Sequence, residues 1–160
     1  MSNLNFFKSC FNNEFNGTFQ LFSQMPSHNL EYTPHPTNRS ARDIMEHILA
    51  HLVDLKVIVE KTDCDETLIF PFDNSLDAAT HLEKLWKEVS TSLEKINDEA
   101  WDNEVVSLTI SGNPFVSLPR FQMMWFFFFD IIHHRGQLSS YIRPMGGKNP
   151  AIYGYSADTQ

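Results

Sequence analysis

The 160-residue sequence has little cysteine, few basic residues and no long apolar stretch. Its two cysteines, Cys10 and Cys64, lie far apart and form no Cys-x-x-Cys motif. A small secreted domain held together by disulfides would carry more cysteines at closer spacing. We therefore expect a protein with reduced thiols and a cytoplasmic location.

The shortage of basic residues argues against two classes of partner. Twelve Lys and Arg face 20 Asp and Glu, which gives a formal net charge of −8 and a pI of about 5.2. A nucleic-acid-binding protein neutralises phosphates with a basic face, and an anionic membrane surface attracts the same kind of face. The composition therefore predicts no nucleic-acid partner and no membrane partner.

The longest apolar run, Met123–Phe129, has seven residues and is followed by Asp130. A helix needs about 20 apolar residues to span a bilayer, so this run predicts a buried helix rather than a membrane span. The segment Met1–Asn5 has no basic region followed by an apolar stretch, and we expect no signal peptide.

Hydrophobic residues make up 42% of the chain and include 14 Phe, enough for one core in a single domain, residues 1–160. Apolar residues recur at helical spacing in four segments, and Pro26, the N-cap residues Ser40 and Ser75, and Pro119 mark their ends. These segments run from about Leu4 to Met25, Ser40 to Lys61, Ser75 to Ile96, and Pro119 to the residues before Pro144. Four such helices predict an all-α four-helix bundle. Val105–Ile110 is typical of a short strand or an extended loop.

The most informative residues are Asp130 and His134, which follow the Phe run within the fourth helix. Residues four apart lie on one helix face, and a buried carboxylate is costly unless it is paired or binds a metal. His47 of the second helix lies beside the core-facing positions Ile44 and Ile48. His47, Asp130 and His134 would hold one face of a divalent ion and leave other positions open.

Spacing alone supports a second interpretation equally well. His47 would then be an ordinary buried imidazole, His134 would lie at the edge of the core, and Asp130 would pair with Arg135 or a lysine. Both interpretations stay open at this level.

Three further residues have less direct interpretations. His133 lies about 100° around the helix from His134, which favours a place behind the ligands or on the surface. His51 has the same two interpretations, both ahead of ligation. Arg135 is interpreted as a surface or inter-subunit charge, with anion binding near the metal as the alternative.

Three sequence blocks resemble a known family. They are Ile131–Tyr141, which contains His133-His134-Arg135-Gly136-Gln137-Leu138, the stretch Arg39–Ile48 around the first histidine, and the tail Gly146–Gly154. Together they resemble the DinB/YfiT-like family of metal-dependent four-helix-bundle proteins, and the resemblance covers most of the chain in architecture.

The resemblance implies an up-down-down-up topology, with Thr62–Asn74 as the long crossover, and a homodimer. It also implies a divalent metal, most often nickel or zinc, held by three histidines. The first matches His47 and the last matches His134, but the middle position is Asp130 here. A carboxylate ligand is compatible with zinc and nickel and adds iron and manganese as alternatives.

Some relatives use low-molecular-weight thiols. The resemblance therefore implies a metal-dependent enzyme of the thiol-dependent S-transferase type, acting on a small molecule. A metal-dependent hydrolase and a non-catalytic, stress-related protein that binds a metal or small ligand are the alternatives. The sequence identifies no catalytic residue beyond the predicted ligands and no organic cofactor.

Overall fold

The computed structural model of the protein describes residues 1–159, which are built around four long helices and a small sheet. The long helices are α1 (Asn3–Gln24), α2 (Ala41–Glu60), α3 (Ser75–Leu93) and α5 (Arg120–Tyr141), and a short helix, α4 (Asp98–Asn103), precedes the last. The strands are β1 (Asp63–Asp65), β2 (Val105–Ile110) and β3 (Asn113–Pro119), and a 3-10 turn covers Ser27–Asn29.

Side-chain caps explain why the long helices begin where the sequence predicts. Ser40 Oγ accepts from the backbone N–H of Asp43, and the Asp43 carboxylate accepts from the backbone N–H of Ser40, so two otherwise unpaired donors are satisfied. At α3 the capping side chain is Asn74, one residue before the predicted Ser75. The predicted helix bounds are confirmed to within about three residues, the largest difference being that α3 ends at Leu93 rather than near Ile96.

The core lies between the four long helices. Both α1 and α2 pack against α3 and against α5. The largest fully buried side chains include Trp101, Phe7, Phe11, Phe22 and Phe127. Phe11 stacks on Trp86 with ring centroids 4.3 Å apart, and Phe7 lies 5.0 Å from Trp101. Within the Phe-rich run, Met123, Met124, Phe127 and Phe128 belong to the core, whereas Phe126 and Phe129 are exposed.

The all-α prediction is incomplete, because the protein is mainly helical but also contains a three-stranded sheet. β1 pairs parallel with β2, and β2 pairs antiparallel with β3. Ser111 and Gly112 connect β2 to β3 with φ values of 52° and 75°, the combination that a two-residue type I′ turn requires. Val105–Ile110 is a strand, which confirms one of the two sequence interpretations. The sheet matters for the site because β2 and β3 contact α5.

Within residues 1–159, no helix combines the length and the apolar character that crossing a bilayer requires.

Candidate metal centre

Helices α2 and α5 each present a pair of polar residues one turn apart. On α2 the pair is His47 and His51, whose ring centroids are 4.1 Å apart. On α5 the pair is Asp130 and His134. Because the two helices pack against each other, the pairs meet inside the protein. We call these four residues the histidine cluster.

The three imidazoles of the histidine cluster converge on one carboxylate oxygen. Asp130 Oδ2 lies 2.9 Å from His51 Nε2, 3.1 Å from His134 Nε2 and 3.3 Å from His47 Nε2. Ligand atoms about 2.0–2.2 Å from one ion are themselves separated by about 3 Å. Asp130 Oδ2 therefore lies at ligand-like spacing from each of the three ring nitrogens.

Protein partners alone do not satisfy this arrangement. A carboxylate oxygen offers about two lone pairs, and here three ring nitrogens compete for one oxygen. Each Nε2 atom must also carry a proton to donate to this oxygen, either as a neutral Nε2–H tautomer or as a charged ring. A divalent cation that accepts all four lone pairs would remove this conflict.

The structure brings the predicted ligands together and adds His51, which the sequence interpretation placed behind the ligands or on the surface. Ligand atoms of His47, Asp130 and His134 all lie within 4.8 Å of one another. A second, overlapping group consists of His47, His51 and Glu66. A surface position for His51 is wrong, because only 4% of this residue is exposed. The signal was available in the sequence, since the four-residue spacing of His47 and His51 matches that of Asp130 and His134.

Gln137 fixes the orientation of His134. Its Oε1 atom lies 2.8 Å from His134 Nδ1 and can only accept, so Nδ1 carries the proton. His134 Nε2 therefore presents a lone pair to the cluster when the ring is neutral. The amide nitrogen of Gln137 lies 3.1 Å from His133 Nε2, so His133 acts behind His134 rather than in the cluster.

Asp54 lies behind His51 and is fully buried. Its Oδ1 atom accepts from the backbone N–H of Thr67 at 3.0 Å, while its Oδ2 atom lies 3.6 Å from His51 Nδ1. Neither Oδ2 nor Nδ1 has a hydrogen-bond partner among residues 1–159. Burial, together with the charge of Asp54, raises the pKa of the neighbouring Cys64 to about 12, so this thiol stays protonated near neutral pH.

The pKa values of the residues in the histidine cluster shift in different directions. Burial favours a neutral Asp130, but the hydrogen bonds from His134, His47 and His51 outweigh it and hold the pKa of Asp130 well below its usual range. Burial lowers the pKa of His47 despite its bond to Asp130. Burial acts the same way on His51, but its contacts with Asp130 and Asp54 outweigh burial and raise its pKa. Asp130 is therefore ionised, and His51 holds a proton more readily than His47.

The chain was compared with known proteins. The sequence model of the DinB family matches residues 1–159. The chain belongs to the DinB family. Two solved structures share its fold, both of them DinB-like proteins, one from Bacillus subtilis and one from Bacillus cereus. The first is 19% identical with a TM-score of 0.73 and covers 92% of this chain and 96% of its own. The second is 17% identical with a TM-score of 0.73 and covers 92% and 95%. No curated protein matches the chain.

In this DinB-family protein, Arg135 lies beside His134 in sequence but outside the histidine cluster. Its guanidinium donates to the Glu14 carboxylate, to Thr18 Oγ1 at 3.2 Å and to the Tyr153 hydroxyl, which itself donates to Glu14 at 2.8 Å. Only 2% of Arg135 is exposed, so a surface position is wrong, and its carboxylate partner is Glu14 rather than Asp130. We call Arg135, Glu14, Thr18 and Tyr153 the arginine cluster.

A cavity of about 240 Å³ opens beside the histidine cluster. Its polar wall consists of Arg39, His47, His51, Glu66 and Asp130. Its apolar wall combines residues of the sheet and of α5, namely Leu108, Ile110, Phe115, Phe126 and Phe127. The Asp130 side chain keeps 37% of its surface exposed. A small molecule can therefore reach the cluster, whereas a purely structural metal site is closed by its protein ligands.

Proposed function

We propose that this protein is a divalent-metal-dependent enzyme in which His47, Asp130 and His134 hold the ion. The observation that carries the proposal is the convergence of three imidazole nitrogens on Asp130 Oδ2 within 3.3 Å. Zinc and nickel suit a set of imidazoles with one carboxylate, and the carboxylate also allows iron or manganese. His51, buried at the same oxygen, is the additional ligand that we propose from the geometry.

The chemistry that we propose is thiol-dependent S-transfer to a small-molecule substrate. A divalent ion lowers the pKa of a bound thiol or water towards neutrality. The deprotonated thiol or water is then available as a nucleophile. Gln137 keeps the His134 ring oriented, and the buried Asp54 lies behind the His51 ring. The cavity beside the cluster supports catalysis over a closed structural site, because a thiol and its reaction partner need access.

A metal-dependent hydrolase is the second candidate, and Glu66 favours it. The Glu66 carboxylate lines the cavity, and one of its oxygens lies within 4.8 Å of a ring nitrogen of both His47 and His51. Among residues 1–159 it makes no ion pair. A carboxylate at this position could accept a proton from an attacking water, the role of a general base.

Metal titration tests the site directly. We expect zinc or nickel to bind the wild-type protein and His133→Ala with similar affinity, and to bind His134→Ala too weakly to measure by calorimetry. His133 is the matched control because it neighbours His134 in sequence but lies outside the histidine cluster, with its Nε2 atom 3.1 Å from the amide nitrogen of Gln137. Equal losses in the two variants would contradict the ligand assignment. Elemental analysis of protein purified without a metal-affinity tag identifies the native ion.

Turnover separates the catalytic proposals from a non-catalytic role. The metal-loaded protein is incubated with a panel of low-molecular-weight thiols and electrophiles, and separately with ester and amide substrates. Thiol-dependent product supports the transferase, and thiol-independent product supports the hydrolase. Metal binding without either product would support a protein that stores or senses a metal or small ligand.

We also propose a homodimer formed through an exposed aromatic patch. Phe6 and Phe129 are 53% and 62% exposed, and both rings contact Trp125, at centroid distances of 6.0 and 5.1 Å. Covering such a surface favours association. We expect light scattering at micromolar concentration to give a mass of twice 18.5 kDa for the wild type. For Phe129→Glu we expect the mass of one chain, 18.5 kDa. A wild-type mass near 18.5 kDa would count against the dimer.

The up-down-down-up order of the long helices is part of the same proposal. Arg42, in the first turn of α2, donates to the carbonyl of Phe72, just before α3, at 3.0 Å. This contact supports a parallel arrangement in which α2 and α3 begin at the same end of the bundle. Arg120, at the start of α5, donates to the carbonyl of Lys61 just after α2 at 3.1 Å, which supports an α5 antiparallel to α2.

The unpaired thiols of Cys10 and Cys64 support the cytoplasm as the location that we propose.

A further inference from the structure

The cavity beside the histidine cluster contains an arginine that differs from the other arginines of the chain. Each of those four has a carboxylate oxygen within 2.9 Å: Arg42 with Glu31, Arg120 with Glu104, Arg135 with Glu14, and Arg143 with Asp158. Arg39 has no ion pair, and its side chain makes no hydrogen bond within residues 1–159. An unpaired guanidinium at a cavity wall is available to a ligand.

Arg39 is also placed to act together with the metal ligands. It lines the 240 Å³ cavity with His47, His51 and Asp130, and it lines a neighbouring cavity of about 290 Å³ that again includes His47. A ligand group held by Arg39 would therefore lie next to the proposed ion. This places an exposed guanidinium on the same cavity as the proposed metal ligands.

The charges of the loaded cavity favour an anion. A divalent ion is offset by the carboxylates of Asp130 and Glu66, and the histidines are neutral as ligands. Among the groups that line this cavity, Arg39 then remains as the excess positive charge, while Asp43 and Glu46 line only the neighbouring cavity. A planar guanidinium binds carboxylates and phosphates through two parallel hydrogen bonds, so an anionic group on the ligand is the natural complement.

The apolar wall of the cavity selects for an apolar body. Phe115 on β3 is 58% exposed and Phe126 on α5 is 50% exposed, and both line the cavity beside Leu108 and Ile110. Aromatic rings left open to solvent at a concave site gain by covering an apolar ligand. The volume is below the range of about 300–1,000 Å³ typical of pockets for drug-sized ligands, so the ligand must be small.

We propose that this cavity binds a small carboxylate whose apolar or aromatic body packs on Phe115 and Phe126 and whose carboxylate is held by Arg39. The proposal rests on the metal-dependent function proposed above and names the chemical class of its substrate. It makes Arg39 a specificity-determining residue that takes no part in holding the ion.

The test uses 3-phenylpropanoate and its uncharged analogue 3-phenylpropanamide as probes. Both are titrated into the zinc-loaded, full-length protein and followed by backbone amide shifts of β2 and β3. We expect the acid to bind at least about tenfold more tightly than the amide, because a hydrogen bond to a charged group is involved. Arg39→Gln should abolish this preference, whereas Arg143→Gln, which removes the same charge at a residue that does not line the cavity, should retain it.

The aromatic wall has its own matched pair of variants. Phe126 and Phe129 lie on the same helix and are similarly exposed, but only Phe126 lines the cavity. Phe126→Ala should weaken the acid and the amide alike, and Phe129→Ala should weaken neither. Equal binding of acid and amide to the wild type would overturn the proposal, as would a preference that survives in Arg39→Gln.

Zinc titration separates failure of this proposal from failure of the proposed function. Arg39 is exposed and is not a ligand, so Arg39→Gln should fold normally and bind zinc at least as tightly as the wild type. Normal zinc binding without dependence on Arg39 would overturn the carboxylate site alone. Acid binding that depends on Arg39 in a protein that does not bind zinc would overturn the metal function and leave the cavity as an anion site.

Discussion

Two adjacent residues of α5, His134 and Arg135, belong to two polar clusters whose charges and hydrogen bonds are matched to different degrees. In the arginine cluster, one buried guanidinium meets a carboxylate and two hydroxyls, so charge and hydrogen bonds are matched. In the histidine cluster, three imidazoles compete for one oxygen of Asp130. Both clusters include residues of α5, yet only the arginine cluster has its charges and hydrogen bonds paired without a further component.

This difference separates a structural role from a functional one. A buried polar group is costly unless it is paired, and satisfied networks make a fold specific. The arginine cluster meets that requirement and fastens Tyr153 of the C-terminal tail to α1 and α5. In the histidine cluster, His51 Nδ1 lacks a hydrogen-bond partner among residues 1–159, and so does Oδ2 of the neighbouring Asp54. Incomplete satisfaction next to a cavity is what a ligand site requires.

The largest effect that tests this contrast is loss of the buried charge in the arginine cluster. Arg135→Leu leaves the Glu14 carboxylate, only 18% exposed, without its partner, and we expect the free energy of unfolding to fall by about 3 kcal/mol. Urea denaturation followed by circular dichroism measures this change. Zinc affinity of the folded variant should stay at the wild-type value.

Arg143→Leu is the control for that variant. Arg143 pairs with Asp158 but is 51% exposed, and we expect its loss to cost less than about 1 kcal/mol. If Arg135→Leu lowered zinc affinity while leaving stability intact, the assignment of a structural role to the arginine cluster and a ligand-binding role to the histidine cluster would be wrong.

A smaller effect comes from the residue that orients His134. Gln137→Met removes the acceptor for His134 Nδ1 while keeping the side-chain length, and we expect zinc affinity to fall about 10- to 100-fold. Competition with a chromogenic chelator measures it. Gln20→Met, on the exposed surface of α1, should change nothing. An unchanged affinity in Gln137→Met would show that packing alone orients His134.

The sequence predicts the long helices well because their signals are local. Ser40 and Asp43 specify the start of α2 through contacts within one turn, and Pro26 ends the preceding segment regardless of tertiary context. The sheet was harder to predict because its signals are not local. β1 has three residues and exists only by pairing with β2, about 40 residues later. Pro114 within β3 disfavours a strand assignment when the sequence is considered alone.

The site was predicted in part for a related reason. His47, Asp130 and His134 could be selected from spacing within each helix and from family resemblance, and the structure brings them together. The contribution of His51 depends on how α2 is rotated against α5, which no local pattern specifies. The same holds for Arg135, whose partner Glu14 is 121 residues away in the chain. Long-range polar partners are therefore the part that required the structure.

The smallest effect concerns pH and again contrasts the two clusters. The pKa of His51 is raised in the folded protein, so its contribution to stability is fully present below the unfolded value of about 6.5 and is lost as pH rises through the folded value. In metal-free protein, we therefore expect the stability difference between wild type and His51→Gln to shrink from pH 6.5 to 9. Asp130, whose pKa is lowered, stays ionised throughout this window and adds no slope. Desolvation of the Tyr153 hydroxyl and its hydrogen bond to Glu14 raise the pKa of Tyr153, so the difference for Arg135→Leu should stay flat over the same range. Urea denaturation in EDTA at several pH values measures the stability difference from wild type for each variant. If the two differences changed with pH by the same amount, the histidine cluster would titrate no differently from the arginine cluster.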